Sequence, residues 1–111
     1  MKFLLVSVAL WWSGFVHADM PLFVYQKSKD AEFVRSYVTG VGRGMLWLNE
    51  AATARYKRPL FCVPPRLALD EQIIHSLLDQ EIRAPAGGRM YGPDIEIELI
   101  LYNALVSRFP C

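Results

Sequence analysis

The pattern of apolar positions predicts helices along most of the chain. From about Asp30 to Tyr56, apolar side chains recur at helical spacing, and Pro59 ends this segment. A second helical pattern runs from about Leu69 to Arg83. Its apolar face comprises Ile73, Ile74, Leu77, Leu78 and Ile82. The two patterns predict two amphipathic helices, each with one face turned to a common core.

Three glycines lie inside the first predicted helix. The buried face expected for this helix comprises Phe33, Tyr37, Val41 and Leu48, widened by Val34, Val38 and Met45. Gly40, Gly42 and Gly44 each cost up to about 1 kcal/mol relative to alanine in a helix interior. A phosphate-binding loop is not favoured, because these glycines do not lie between a strand and a helix. We expect close approach of another helix over Gly40 and Gly44 to offset their cost.

The segment after residue 93 fits two patterns. Residues 95–99 alternate as an exposed strand would, but a longer match at helical spacing comprises Ile95, Leu99, Tyr102, Val106 and Phe109. Pro93 and Asp94 are typical of a helix start, so we predict a third helix beginning at Pro93. Residues 19–29 could form a short strand or an apolar arm. The whole pattern predicts an all-α fold, a compact bundle of three main helices with room for a fourth short one.

The N-terminus has the organisation of an export signal. Lys2 precedes an apolar run over residues 3–16, and Val16-His17-Ala18 fits a signal-peptidase site. The run is short for a membrane span of about 20 residues, although an uncleaved anchor is the alternative. We therefore predict a signal peptide over residues 1–18, cleaved after Ala18, and a single helical domain over residues 19–111.

The chain has two cysteines, Cys62 and Cys111. In a small exported protein this favours one disulfide over two free thiols. The bond would close a loop of about 49 residues and the bundle with it. In the chain-entropy model such a loop stabilises the fold by about 4 kcal/mol.

Charge and composition exclude several functions. The chain has 12 Lys and Arg against 11 Asp and Glu, and loss of Lys2 with the signal balances them. This argues against nucleic acid as a partner and, after signal cleavage, against membranes. His75 is the one histidine beyond the signal, and we expect it to be structural. We therefore expect no enzyme, no catalytic residues, no cofactor and no metal site.

The residues best suited to bind a partner lie at helix ends and in the loop before the last helix. They are Arg55, Tyr56, Lys57, Arg58, Arg83, Arg89, Met90 and Tyr91. Arginine and tyrosine are enriched at binding hot spots, and long irregular loops often carry function. The alternative is an ordinary polar surface with a flexible glycine loop.

A series of short motifs resembles one protein family. The export signal is followed by FVRSYVTGV at residues 33–41 and FCVP at residues 61–64. DEQII at residues 70–74 and a terminal FPC at residues 109–111 complete the series. In this order the chain resembles the Rap/Tai family of periplasmic immunity proteins of type VI secretion systems. The resemblance covers essentially the whole mature chain and implies a compact helical periplasmic protein with its two cysteines bridged.

The resemblance also implies a function. It implies that the protein binds a toxic effector, a peptidoglycan amidase of the Cys–His type, and blocks the effector's active-site cleft. Some members act as homodimers, so a second copy is among the implied partners. Residues 83–93 are longer than the family pattern, and residues 55–59 are more basic. The alternatives are a small periplasmic acid-stress chaperone and an orphan envelope protein without a toxin.

Overall fold

The computed structural model describes residues 19–111, and the predicted signal peptide lies outside the described residues. The described chain forms four helices and no strand: α1 Leu22–Ser28, α2 Glu32–Tyr56, α3 Glu71–Arg83 and α4 Ile97–Arg108. The predicted all-α fold is confirmed, with three main helices and a fourth short one. Among these four helices, none is long and apolar enough to cross a membrane.

The N-terminal segment that the sequence left open is the short helix α1. The backbone N–H of Leu22 donates to the carbonyl of Ile95 over 2.8 Å, and that of Ile97 donates to the carbonyl of Met20 over 2.8 Å. Leu22 and Tyr25 are buried in the core. These bonds tie α1 to the start of α4, so the segment is an integral part of the bundle.

Helix α2 has the predicted length, and its predicted buried face was right for Val34 and Val38 but wrong for Phe33 and Leu48. Val34, Val38 and Gly42 are buried, whereas the Phe33 side chain is 67% exposed and that of Leu48 is 59% exposed. Apolar side chains occupy more than one side of this helix, so periodicity alone could not select the side that packs.

The contact between α2 and α3 determines which side of α2 is buried. A Cβ atom at Gly42 would lie 2.8 Å from Cγ2 of Ile74, whereas one at Gly40 or Gly44 would meet nothing within 4 Å. The expected helix approach over Gly40 and Gly44 was therefore wrong. Gly42 is the glycine that lets α3 come close to α2.

Helix α3 begins with a side-chain cap. The Asp70 carboxylate accepts a hydrogen bond from the backbone N–H of Ile73 over 2.9 Å, which satisfies one free donor of the first turn. The buried side chains of α3 are Ile74, Leu77, Leu78 and Glu81. The apolar part of this face was predicted, and α3 packs against both α2 and α4.

Helix α4 begins at Ile97, with Glu96 as its N-cap residue, rather than at Pro93. Its buried side chains are Ile97, Ile100, Leu101, Ala104 and Leu105. The residues that matched helical spacing in the sequence are not the buried ones, since Leu99 is 47% exposed and Tyr102, Val106 and Phe109 are half-buried. Most of this helix is apolar around its circumference, which makes its periodicity ambiguous.

The predicted disulfide between Cys62 and Cys111 is confirmed, with an S–S distance of 2.04 Å. Next to it, the backbone N–H of Cys62 donates to the carbonyl of Phe109 over 2.8 Å. The amide of Asn49 on α2 donates to the carbonyl of Phe61 over 2.9 Å and accepts from its N–H over 3.1 Å. The connection after α2 and the C-terminus are thus fastened to each other and to the bundle.

Candidate functional site

Glu81 is the one charged side chain that is buried in the described part of the chain, with 1% of its surface exposed. One carboxylate oxygen, Oε1, accepts a hydrogen bond from Nη1 of Arg108 over 2.5 Å. The other, Oε2, accepts from the hydroxyl of Tyr91 over 2.7 Å and from the backbone N–H of Ala86 over 3.1 Å. One carboxylate therefore joins α3, the loop after it and the end of α4.

The surroundings of Glu81 keep it ionised. Burial by itself raises the pKa of this carboxyl, but the hydrogen bonds from Tyr91, Ala86 and Arg108 outweigh burial and lower the pKa below its ordinary value. The pKa of Tyr91 is raised, first by burial and then by its hydrogen bond to Glu81. Near neutral pH the group is thus a carboxylate that accepts three hydrogen bonds.

The two residues of the loop that Glu81 holds, Ala86 and Tyr91, bracket an exposed tip. The tip, residues 87–90, comprises Gly87, Gly88, Arg89 and Met90. Gly88 has a φ of 75°, a left-handed conformation that glycine adopts without strain, and its N–H donates to the carbonyl of Pro85 over 2.9 Å. All four residues are exposed, and the Met90 side chain is 78% exposed. A fixed base thus displays an apolar and a cationic side chain.

A groove of about 490 Å³ lies between this loop and α4. Ile95 and Val106 give it apolar walls, and Tyr102 and Asn103 contribute from α4. The amide of Asn103 donates to the Tyr91 hydroxyl over 3.2 Å, so the groove wall and the Glu81 cluster form one network. Arg89, Met90 and Tyr91 of the predicted partner-binding set all line this groove.

The other predicted partner-binding residues lie elsewhere. Arg83, in the last turn of α3, lines a polar cavity of about 340 Å³ together with Tyr25 of α1 and Asp79 of α3. In that cavity the buried Tyr25 hydroxyl donates to Asp79 over 2.7 Å, and the pKa of Tyr25 is raised by burial and by this bond. Residues 55–58 are exposed at the end of α2. No hydrogen bond within residues 19–111 joins them to the loop.

Lys57 has an unusual backbone conformation in the C-cap of α2. Its φ of 59° is the single positive φ of a non-glycine residue in the described chain. Its N–H donates to the carbonyl of Thr53 over 3.1 Å, which closes the helix. Glycine is the usual residue here, because a side chain in the left-handed region costs roughly 1–2 kcal/mol.

Sequence reasoning missed the residues that support the loop, Glu81, Asn103 and Arg108. For Glu81 a signal was present, since its spacing from Ile74, Leu77 and Leu78 puts it on the apolar face of α3. A carboxylate in that register has to be paired or neutralised. Arg108 gave no comparable signal, because a cation in the last turn of a helix is common.

His75 connects two helices. Its Nε2 lies 3.1 Å from the carbonyl oxygen of Arg35, an atom that only accepts, so Nε2 carries the hydrogen. The Arg35 side chain in turn pairs with Glu71 over 3.0 Å. No group of three or more His, Cys, Asp and Glu side chains within residues 19–111 is placed to hold a metal ion.

Comparison with known proteins gives no match among protein families, curated proteins or solved structures.

Proposed function

We propose that this chain is an exported immunity protein that binds a toxic effector and blocks the effector's active-site cleft with the tip of the loop after α3. The observation that carries the proposal is the buried carboxylate of Glu81, which accepts hydrogen bonds from both sides of the exposed tip. A buried charge held in this way is costly to form, and its effect here is to hold a loop at the surface in one conformation.

A loop fixed before binding favours tight inhibition. Immobilising a flexible side chain at an interface costs about 0.5–1.5 kcal/mol, and a preformed loop avoids part of that cost. Met90 is exposed, unbranched and adaptable, so it suits an apolar pocket. Arg89 offers five N–H donors in a planar fork, which suits a carboxylate or backbone carbonyls. A narrow tip of this composition can enter an enzyme cleft and exclude substrate.

The resemblance to the Rap/Tai family supports the class of partner. The N-terminal export pattern and the order of the four motifs support a periplasmic protein that acts on a peptidoglycan amidase. The bridged cysteines agree with an oxidising compartment. Inhibition by occlusion requires no catalytic group on this chain.

The test is a binding titration against the exported product of the neighbouring gene. The protein is expressed with its own N-terminal segment, purified oxidised from the periplasm, and titrated by calorimetry. Met90→Ala is expected to weaken binding about 30-fold, the size of a hot-spot truncation. Leu99→Ala is the matched control, since Leu99 is an exposed apolar side chain on α4 that does not line the groove beside the loop.

Two outcomes would count against the proposal in different ways. Absence of both binding and protection of cells from that gene product would refute the immunity function. Binding that is unchanged by Arg89→Ala and Met90→Ala, with protection intact, would keep the function and refute the loop as its inhibitory element.

A further inference from the structure

The outer face of α2 carries an apolar surface that the rest of the described chain leaves uncovered. Arg43, Trp47, Ala51 and Arg55 follow one another at intervals of four residues, so they form one row along the helix, and all four are exposed. Leu48 lies beside this row. The Trp47 side chain is 75% exposed and that of Leu48 is 59% exposed. Together these two side chains place a large apolar area in contact with water.

The second half of α2 and the two residues after it carry more positive than negative charge. Lys57, the C-cap residue of α2, and Arg58 follow the helix in sequence, and with Arg43 and Arg55 they make four exposed cations. None of the four forms an ion pair within residues 19–111, where the two ion pairs are Arg35–Glu71 and Arg108–Glu81. The single carboxylate between residues 40 and 58 is Glu50. The near-zero net charge of the whole chain therefore conceals a local excess of positive charge.

The local excess of charge, rather than the net charge of the chain, decides the attraction to a charged surface. Salt screens electrostatic interactions beyond about 8 Å at physiological ionic strength. Exposed Trp and Leu beside Arg and Lys on one helix face are typical of helices that lie in the interface of an anionic membrane. Tyr56, 67% exposed among these cations, adds a second aromatic ring of the kind enriched at that interface.

We propose that this face, defined by Arg43, Trp47, Leu48, Ala51 and residues 55–58, docks on the surface of an anionic phospholipid bilayer. Trp47 and Leu48 enter the boundary between headgroups and acyl chains, and the four cations contact lipid phosphates. A second copy of the chain is a poorer occupant. In a contact between two copies, the four cations of one copy would face the four cations of the other, with one glutamate per copy to offset them. Lipid phosphates instead carry the opposite charge.

This docking goes beyond the proposed inhibition, because it requires no effector and uses residues outside the loop. The near-zero net charge of the sequence argued against membranes, and the proposal departs from that expectation because of the grouping of exposed side chains on α2. The consequence would be a protein that α2 holds at the membrane surface, while the proposed inhibitory loop lies between α3 and α4.

Trp47 provides the test. From residue 19 onwards it is the single tryptophan of the chain, so the fluorescence of the processed protein reports on this face alone. The periplasmic protein is titrated with vesicles of phosphatidylglycerol and phosphatidylethanolamine, and separately with phosphatidylcholine vesicles. We expect emission to move to shorter wavelength with the anionic vesicles and to stay unchanged with phosphatidylcholine.

A matched pair of charge variants localises the contact. Lys57→Gln with Arg58→Gln is expected to lower partitioning onto anionic vesicles about 30-fold, since each cation near such a surface contributes about 1 kcal/mol. Lys27→Gln with Lys29→Gln removes the same net charge from exposed positions at the end of α1 and is expected to have little effect. Circular dichroism of both variants confirms that they are folded.

Each remaining outcome overturns the proposal. An unchanged spectrum with anionic vesicles shows that the face does not dock on lipid. An equal shift with both vesicle types shows adsorption without recognition of charge. A shift that grows with protein concentration in the absence of lipid identifies a second copy as the occupant. Equal losses in the two charge variants show that the contact is not at the end of α2.

Discussion

Glu81 is the residue on which the display of the loop depends. Its carboxylate is withdrawn from water and accepts from Arg108, Tyr91 and the backbone of Ala86. Removing one member of a buried, hydrogen-bonded charge pair leaves the other member without a partner, which costs more than the pair itself contributes. The residue is therefore a structural support for the tip rather than an exposed part of it.

Glu81→Gln is expected to lower the free energy of unfolding by about 3 kcal/mol. The neutral amide leaves the charge of Arg108 without an opposite charge, and its NH₂ group, a donor, faces groups that are donors themselves. Arg35→Gln is the control. The Arg35–Glu71 pair is about half exposed, and exposed pairs contribute about 0–1 kcal/mol. Urea unfolding of the two variants measures both values, and equal losses would contradict the role assigned to Glu81.

The pH dependence of this contribution follows from the lowered pKa of Glu81. A carboxyl whose pKa is lower in the folded state stabilises the fold above its unfolded value of about 4.5 and loses that contribution as the pH falls through the folded pKa. The difference in the free energy of unfolding between the wild type and the Glu81→Gln variant should therefore become smaller as the pH falls below about 4.5.

Lys57 is the second residue whose substitution should change the stability of the fold. Lys57→Gly should raise the free energy of unfolding by about 1 kcal/mol, because glycine adopts the left-handed C-cap conformation without strain. Lys57→Ala removes the same charge but keeps a Cβ atom, so it should give little gain. Chemical denaturation of both variants separates backbone strain from charge. A gain of equal size in the alanine variant would mean that the charge, not the backbone, is unfavourable.

At the scale of elements, one glycine of α2 decides which side of this helix packs against α3. Apolar side chains lie on both the Val34–Val38 side and the Phe33–Leu48 side of this helix, and packing against α3 takes the first. The deciding position is Gly42, where the side chain of Ile74 lies against the backbone. Phe33 and Leu48 on the other side stay exposed, next to the exposed face that carries Trp47.

Substitution of the three glycines by alanine should therefore give opposite signs. Gly42→Ala should destabilise the fold by about 1–3 kcal/mol, since the new Cβ would lie 2.8 Å from Cγ2 of Ile74 and 2.9 Å from its Cδ1. Gly40→Ala and Gly44→Ala meet open space and should each stabilise the helix by up to about 1 kcal/mol. Thermal unfolding of the three variants is the measurement. Stabilisation by Gly42→Ala would mean that the two helices lie further apart.

At the scale of the whole molecule, the sequence predicted the elements better than their orientation. Capping and breaking residues such as Asp70 and Pro59 mark helix ends locally, so the helices could be read from the chain. The faces of α2 and α4 could not, because both helices are apolar around much of their circumference and the packing partner selects the side. Residues of the loop were identified from composition, while their support by Glu81 and Arg108 depends on tertiary contacts 27 residues apart.

The disulfide closes the molecule as a whole. It joins positions 49 residues apart, and its neighbouring backbone bond fastens Cys62 to Phe109. Replacing both cysteines by serine should lower the free energy of unfolding by about 4 kcal/mol in the chain-entropy model. Denaturation of the double variant beside the oxidised wild type measures the loss. An unchanged midpoint would show that the hydrogen bonds around Asn49 already hold the connection without the bond.

The mode of inhibition tests whether the loop tip blocks the cleft of a toxic enzyme, as we propose. The activity of the effector on its peptidoglycan substrate is followed at rising concentrations of this protein and of substrate. We expect competitive inhibition that is lost in the Arg89→Ala, Met90→Ala double variant, with the fold intact. Inhibition that is independent of substrate concentration, or equal in the double variant, would contradict it.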